Sequence, residues 1–485
     1  MSAERPNVLC IVADDLGWRD LGCYGSPFYE TPTLDALARE GTRFTDAYAA
    51  APVCSPTRAS LMTGQYPARV GVTDWIDCSG TTHPMRGRVV DAEYCTRLPD
   101  DRPTLPERLR EGGYATWHVG KWHLGGLGED SLPGDHGFDV NVGGCEWGKP
   151  NGPDGYFAPW EIPTLADRPD EDGRYLPDRL SETAVGLIED HAGRDEPFFL
   201  NYNPYLVHTP IQAPSALVEN YEQKRAALGL DDRREFEVGD RMPTESKCDE
   251  RIERRLVQSD PIYAAMVEWL DRSVARLLEG LEQTGQASET IVVFTSDNGG
   301  LATAEGSPTT NRPLAEGKGW MDEGGNRVPL LVRWPSVTDA DDAPDVIDTP
   351  VTTPDLFPTL LSAVDRSVPS EYPVDGVSLE PLLVGESLDR DAVFWHYPHY
   401  GNQGATPAGA VRSGNWKLVE YFETGHVELY DLATDISEDR DRSGDHPETA
   451  QRLHTRLREW RDEVGTVLPE PNPEYEPWPD RAGPD

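Results

Sequence analysis

Two unbroken apolar runs constrain this chain more than any other feature. Val8-Leu9-Cys10-Ile11-Val12-Ala13 runs straight into Asp14-Asp15, and Thr290-Ile291-Val292-Val293-Phe294-Thr295 runs into Ser296-Asp297-Asn298. Neither run alternates apolar with polar residues, so neither keeps a face for water. Each reads as a strand covered on both sides, which is the habit of a parallel sheet with helices on both faces. Sheets of that kind gather ligands beyond the carboxyl ends of their strands. Both acidic pairs fall there.

The segments between the runs fit the same plan. Residues 33–41 read as an amphipathic helix with Leu34, Leu37 and Ala38 inward. Arg43-Phe44-Thr45-Asp46-Ala47-Tyr48 reads as a short strand. Residues 103–112 read as a helix capped by Thr104 with Glu107 three residues on. Residues 114–120 form a strand that delivers Lys121 and His123 to the edge where the aspartates sit. A helix over 180–191, a strand over 197–202 leading to His208, and a long helix over 263–283 follow. Residues 328–334 read as a further strand and 356–361 as a helix. Beyond about Asp375, short strands at 393–396, 408–412, 416–421 and 427–430 alternate with turns, and a helix spans 448–464. The expected architecture is α/β. A large domain, 1–375, holds a central mostly parallel sheet flanked by helices. A smaller C-terminal α+β domain, 376–485, holds an antiparallel sheet. The segment 145–174, rich in Gly, Pro and aromatics, is expected to lie as a long ordered loop over the active face, with Trp147, Tyr156, Phe157 and Trp160 available to stack on a substrate ring. The charged stretch 215–255 reads as a partly helical insertion or surface hairpin, and the Pro-rich tail 469–485 as surface or disordered chain.

Acidic residues outnumber basic ones 86 to 44, a formal charge of −42 on 485 residues. Such a charge repels itself and is relieved by salt, so a chain adapted to a salty, halophilic interior is expected. It excludes nucleic acid as a partner, because no basic cluster is there to meet phosphates. Only six of the basic residues are lysines. No apolar run approaches the length of a membrane span, so no membrane partner is expected. Met1-Ser2-Ala3-Glu4-Arg5-Pro6 leads directly into the first strand with no secretory leader, which sets the expectation of a cytoplasmic protein. Seven cysteines, Cys10, Cys23, Cys54, Cys78, Cys95, Cys145 and Cys248, fit no zinc or disulfide spacing and suit a reducing compartment. A Cys78–Cys95 disulfide is the lesser alternative.

One cysteine stands apart. In Pro52-Val53-Cys54-Ser55-Pro56-Thr57-Arg58-Ala59-Ser60-Leu61-Met62-Thr63-Gly64, a loop ends at Cys54 and a helix begins, with Pro56 in its first turn. Helix N–H groups then face whatever anion lies beside the cysteine, and Arg58 stands four residues on, on the same face. A nucleophile, a helix N-terminus and an arginine make an oxyanion site. Asp14, Asp15, Asp297 and Asn298 add four oxygen-bearing side chains, the donor set of a hard divalent cation. By residue type alone calcium, magnesium and manganese are all served.

Cys54-Ser55-Pro56-Thr57-Arg58 resembles the C-x-P-x-R signature of the type I sulfatases, arylsulfatase-like members of the alkaline-phosphatase superfamily. The resemblance continues through residues 7–17 and 59–64, Gly120-Lys121-Trp122-His123-Leu124-Gly125, His208-Thr209-Pro210, 295–300 and Glu323-Gly324-Gly325-Asn326-Arg327-Val328-Pro329, in the family's order. It implies calcium held by Asp14, Asp15, Cys54, Asp297 and Asn298. It also implies that Cys54 is converted to formylglycine by a separate maturation enzyme. In the family the hydrated aldehyde attacks sulfur, the ester oxygen departs as an alcohol, and the second hydroxyl expels sulfate. By the same resemblance Arg58 orients the nucleophile, and Lys121 and Lys318 bracket the sulfate. His208, with Lys318, serves the leaving oxygen, and His123 holds or deprotonates the nucleophilic oxygen. Lys121, His208 and Lys318 are thus the expected substrate-binding residues as well. His83, His396 and His399 read as ordinary polar surface or, secondarily, substrate contacts, and Arg327 as an ion-pair residue. The expected substrate is a sulfated sugar or another small sulfate ester, with exo-action on mono- or oligosaccharides. A phosphonate monoester hydrolase or phosphodiesterase of the same superfamily, and a non-catalytic sulfated-glycan-binding protein, are the alternatives. No stripe in the sequence identifies an oligomer face.

Overall fold

The computed structural model describes residues 5–76, 87–166, 171–244, 247, 249–340, 342–368 and 372–475. His83, Cys78, Cys248 and the Cys78–Cys95 pairing lie outside the described residues.

Eight strands form the main sheet: β1 (Asn7–Ala13), β2 (Thr42–Phe44), β3 (Ala115–Gly120), β4 (Val140–Val142), β5 (Phe198–Asn203), β6 (Thr290–Ser296), β7 (Leu330–Arg333) and β8 (Val346–Ile347). Their order across the sheet is β8-β2-β7-β6-β1-β5-β3-β4. From β6 to β4 all pairings are parallel, and β7 alone runs against its neighbours. The two apolar runs are β1 and β6, adjacent at the centre. Because successive side chains leave a strand on opposite faces, Leu9, Ile11 and Ala13 enter one core and Val8, Cys10 and Val12 the other.

Helices cover both faces. The first core is closed by α1 (Pro32–Glu40), α3 (Leu176–His191) and α5 (Pro261–Gln283), the second by α2 (Cys54–Thr63) and α6 (Leu356–Ala363). Helix α5 shows how the sequence specifies its own packing. Asp260 caps it by accepting from the N–H groups of Ile262 and Tyr263, and Met266, Leu270, Val274, Leu277 and Leu281 are all fully buried. Each such side chain contributes about 1.5–3 kcal/mol by leaving water. Thr104 and Glu107 form the capping box expected of the helix Leu105–Glu111.

Strands β9 (Val393–Tyr397), β10 (Ala408–Ser413), β11 (Trp416–Tyr421) and β12 (Val427–Asp431) form a second, antiparallel sheet in sequence order. Helix α7 (Pro447–Val464) packs Leu453, Leu457 and Trp460 against one face. The other face buries Val393, Trp395 and Val419 against Tyr48 and Val53, the residue before Cys54. The second sheet therefore braces the cysteine loop.

Two local expectations change, and the charged stretch keeps its expected helix and hairpin. The stretch 43–48 is two short strands, Thr42–Phe44 and Ala47–Tyr48, because Asp46 between them turns to Arg327 and Arg412. The stretch 215–255 is the helix α4 (Ser215–Ala227) followed by a hairpin of Phe236–Arg241 and Arg251–Arg255. In the loop 145–166, Tyr156 and Trp160 are buried in the first core rather than turned to a substrate. Among the described residues no helix is long and apolar enough to cross a membrane.

Candidate active site

Strand register builds the site. Ala13 of β1 lies opposite Ser296 of β6, so Asp14 and Asp297 emerge side by side. Gly120 of β3 lies opposite Asn203 of β5, and the next residue, Lys121, donates its N–H to the Asn203 carbonyl. Past β5 the chain carries His208 back over the same edge. Four strands thus bring their following residues to one end of the sheet.

Cys54 is the first residue of α2, preceded by an extended Val53. The loop before it is fixed by Thr57, whose hydroxyl accepts from the Ala51 N–H and donates to the Ala51 carbonyl, both at 3.1 Å. The Cys54 Sγ lies 3.8 Å from Asp14 Oδ1. Burial pushes the Cys54 thiol up to about 12, against the lowering pull of Lys121 and Lys318. An unmodified thiol here stays protonated at neutral pH and is a poor nucleophile.

Three carboxylates and three cations interlock around it. Lys121 Nζ donates to both oxygens of Asp14 at 2.8 and 2.9 Å, with both side chains fully buried. Lys318 Nζ donates to Asp15 Oδ2 at 2.8 Å and to His208 Nε2 at 2.9 Å. Arg58 donates from Nε to Asp297 Oδ2 at 2.9 Å and from Nη1 to the Lys121 carbonyl at 3.0 Å. Arg58 therefore fixes Asp297 and the Lys121 backbone together. Burial, with Asp297 and Asp15 nearby, raises the Asp14 carboxyl above the usual carboxylate range even though Lys121 opposes it. Burial works against the Lys318 ammonium, yet Asp15, Cys54, Asp14 and Glu305 together more than compensate and hold it above the usual lysine range.

The two histidines are neutral. Burial, then Lys318 and Lys121, holds His208 well below the usual range, and burial with Lys121 does the same for His123. His208 Nδ1 lies 3.0 Å from the Thr209 carbonyl, so Nδ1 carries the proton and Nε2 accepts from Lys318. His123 Nε2 donates to the Ile76 carbonyl at 2.9 Å, and its buried Nδ1 has no partner among the described residues.

The oxygen donors suit a hard cation. Asp14, Asp15, Cys54 and His208 each bring a potential ligand atom within 4.8 Å of the others. Asp297 Oδ1 accepts from the Asp15 N–H at 3.2 Å, and Asn298 Nδ2 donates to Asp15 Oδ1 at 2.9 Å. The Asn298 Oδ1 is buried without a hydrogen-bond partner among the described residues. A buried amide oxygen left unpaired is costly unless something binds it. The Nδ2 of the same amide is bonded to Asp15, so this free oxygen belongs to a side chain held against one of the candidate ligands.

Above this floor lies a cavity of about 310 Å³ lined by Cys54, Trp75, His123, Lys149, Asn151, His208, Glu305, Lys318, Asn402 and Gln403 among others. The structure brings together every site residue expected from sequence and adds Lys149, Asn151, Glu305, Asn402 and Gln403. His396 and His399 do not belong to the site, nor to the surface. Both are buried, with His396 Nε2 on the Val467 carbonyl and His399 Nε2 on the Thr73 hydroxyl, each at 2.9 Å. Arg327 is an ion-pair residue, bonded to Asp46 at 2.7 Å and Glu323 at 3.3 Å.

Comparison with known proteins agrees with this geometry. The sulfatase family model matches residues 6–366, and the model for the C-terminal part of N-sulphoglucosamine sulphohydrolase matches residues 317–463. The chain is 29% identical to a sulfatase of Formosa agariphila over 98% of its length and 92% of that protein. It is 32% identical to the N-acetylgalactosamine-6-sulfatase of Canis lupus familiaris over 94% of its length and 79% of that protein. The crystal structure of Ps i-CgsB in complex with k-i-k-neocarrahexaose superposes with a TM-score of 0.73 at 28% identity, covering 97% of this chain and 94% of that one. The chain belongs to the sulfatase family and is a sulfuric ester hydrolase.

Proposed function

We propose that the protein hydrolyses a sulfate monoester carried by a sugar, after conversion of Cys54 to formylglycine and with a divalent cation, calcium by the family resemblance. The observation that carries this reading is the position of the Cys54 side chain. It lies against Asp14 in a buried cavity where Lys121, Lys318 and Arg58 balance three carboxylates. Asp14, Asp15, Asp297 and Asn298 would hold the cation. The converted residue would supply an oxygen nucleophile, and the cation a charge that stabilises it.

The chain's own groups do the rest. Lys121 and Lys318 present ammonium charge to an anionic ester in a site shielded from water, where such charge counts most. Arg58 fixes Asp297 and the Lys121 backbone, so the floor is rigid before substrate arrives. The Lys318–His208 pair holds one mobile proton next to the cavity, on Lys318, within reach of a leaving oxygen. His123 offers its unpartnered Nδ1 to a nearby hydroxyl. A cavity of about 310 Å³ suits one sugar ring and supports exo-action on a small substrate. The relatives named for N-acetylgalactosamine 6-sulfate and crystallised with neocarrahexaose support a carbohydrate ester.

The test pairs the mass of the Cys54 peptide with turnover of an aryl sulfate, a sulfated monosaccharide and an aryl phosphodiester, with and without calcium. Formylglycine with calcium-dependent turnover of both sulfates is the expected result. Converted protein that prefers the phosphodiester would move the reading to the phosphodiesterase alternative. Converted protein that binds sulfated sugars without turnover would move it to the glycan-binding one.

A further inference from the structure

The chain has six lysines. Five have carboxylate partners: Lys121 with Asp14, Lys224 with Glu30, Lys247 with Glu305, Lys318 with Asp15 and Lys417 with Glu323. The sixth, Lys149, has no ion pair among the described residues, in a chain of formal charge −42. It lines the cavity that holds Cys54, His208 and Lys318. Its loop is set there by close packing, since a Cβ on the preceding Gly148 would come within 2.7 Å of the His123 ring. Lys149 is exposed, and without a carboxylate partner among the described residues its ammonium, lining the anion site of an acidic protein, is available to meet charge on the ligand.

The rest of the rim offers acceptors. The Asn402 Oδ1 is buried without a partner among the described residues. Glu305 lines the cavity with its side chain 33% exposed, its oxygens at 3.5 Å from Lys247 and 3.3 Å from the Thr209 hydroxyl. Both contacts are long, so the carboxylate keeps acceptor capacity for hydroxyl groups. Glu305 is held there at φ +53, in the left-handed region, and Ser307 follows at φ +43. Such conformations persist where the surroundings impose them, and they concentrate at ligand clamps.

We infer that the leaving sugar carries a second anionic group, a sulfate or a carboxylate, and that Lys149 binds it while Glu305 and Asn402 accept from ring hydroxyls. This rests on the sulfate-ester reading above and narrows its substrate to doubly anionic sugars. Lys149 is a specificity residue in this scheme and takes no part in breaking the ester.

The experiment uses converted protein with calcium. It compares kcat/KM for an aryl sulfate, a monosulfated neutral monosaccharide, the same sugar with a second sulfate, and a monosulfated sugar bearing a carboxylate. The native protein is expected to favour at least one dianionic sugar over the monosulfated neutral one by about tenfold, a typical worth for one charge-assisted contact. The two dianionic arms tell sulfate from carboxylate. Lys149→Gln is expected to bring that ratio close to one, chiefly through KM, and Lys149→Arg to preserve it. No dianion advantage in the native protein, or an advantage that survives Lys149→Gln, overturns the inference. Failure to turn over any sulfate ester, the aryl sulfate included, would overturn the underlying reading. Aryl sulfate turnover without a dianion advantage defeats the inference about Lys149 alone.

Discussion

Lys121 Nζ grips both oxygens of Asp14, at 2.8 and 2.9 Å, with neither side chain exposed to solvent. The pair joins the residue after β3 to the residue after β1, across the strand β5 that separates them. A buried pair of this kind is expensive to break from one side, because the remaining charge keeps its desolvation penalty. Lys121→Met is therefore expected to lower turnover of an aryl sulfate by about a hundredfold to a thousandfold. It should also lower apo-protein stability by roughly 3 kcal/mol. Calcium should restore part of the stability by ligand linkage and none of the turnover. Turnover near the native level would remove Lys121 from the mechanism.

The proton shared by Lys318 and His208 sits on the lysine. His208 is held neutral, with its Nε2 accepting from Lys318 at 2.9 Å. The group able to protonate a leaving oxygen is then Lys318, positioned by His208. Lys318→Ala is expected to reduce turnover of a sugar sulfate, whose alcohol leaves badly without a proton, about a hundredfold more than turnover of a nitrophenyl sulfate, whose phenolate leaves unaided. His208→Ala should show the same leaving-group dependence in weaker form. Equal losses on both substrates would assign Lys318 to sulfate binding alone.

The framework of this site is legible in sequence because it sits at strand ends. The apolar runs that define β1 and β6 also fix where Asp14, Asp15, Asp297 and Asn298 fall, and parallel register sets them side by side. The rim is illegible for the opposite reason. Lys149, Glu305 and Asn402 lie on irregular loops without period, and their convergence depends on close packing and on positive φ values that no spacing announces. Aromatic content misleads in the loop 145–166. Tyr156 reads as a stacking platform, yet its ring is buried and its hydroxyl donates to the His208 carbonyl at 3.0 Å, so it supports the site from below. His396 and His399 mislead likewise, since a polar residue type says nothing of burial when a backbone carbonyl or a hydroxyl is at hand to satisfy it.

Burial of His396 makes a pH prediction with a definite sign. Burial lowers this imidazole from 6.5 to about 4, and its Nε2–H donates to the Val467 carbonyl while Nδ1 has no partner among the described residues. The unfolded chain binds a proton near pH 6.5 that the folded chain refuses until about pH 4. Its contribution is complete above pH 6.5 and is lost progressively as pH falls through that window. By linkage this one residue should cost on the order of 2 kcal/mol between pH 7 and pH 5. Urea unfolding at the two values should show a steeper loss for the native protein than for His396→Gln. Equal slopes would place the acid sensitivity elsewhere, with His118, held at about 3 by burial, next to be examined.

Salt should stabilise this protein, although it weakens the many arginine–carboxylate pairs at the surface. The two effects oppose each other and the count of charges decides between them. With 86 acidic and 44 basic residues, 42 carboxylates remain even if every cation is paired. Surface pairs are worth little individually, whereas repulsion among unpaired carboxylates acts across the whole molecule. Screening shortens the Debye length from about 10 Å at 0.1 M to about 3 Å at 1 M, so most of the relief should arrive below 1 M. The unfolding midpoint is expected to rise by roughly 4 °C between 0.1 and 2 M KCl, a shift of about 4 kcal/mol at the unfolding entropy of a chain of this size. NaCl should act equally, and sucrose at matched osmolality should do less. A flat response to KCl would mean that paired charge, not net charge, governs stability. A response matched by sucrose would trace the effect to solute exclusion instead of screening.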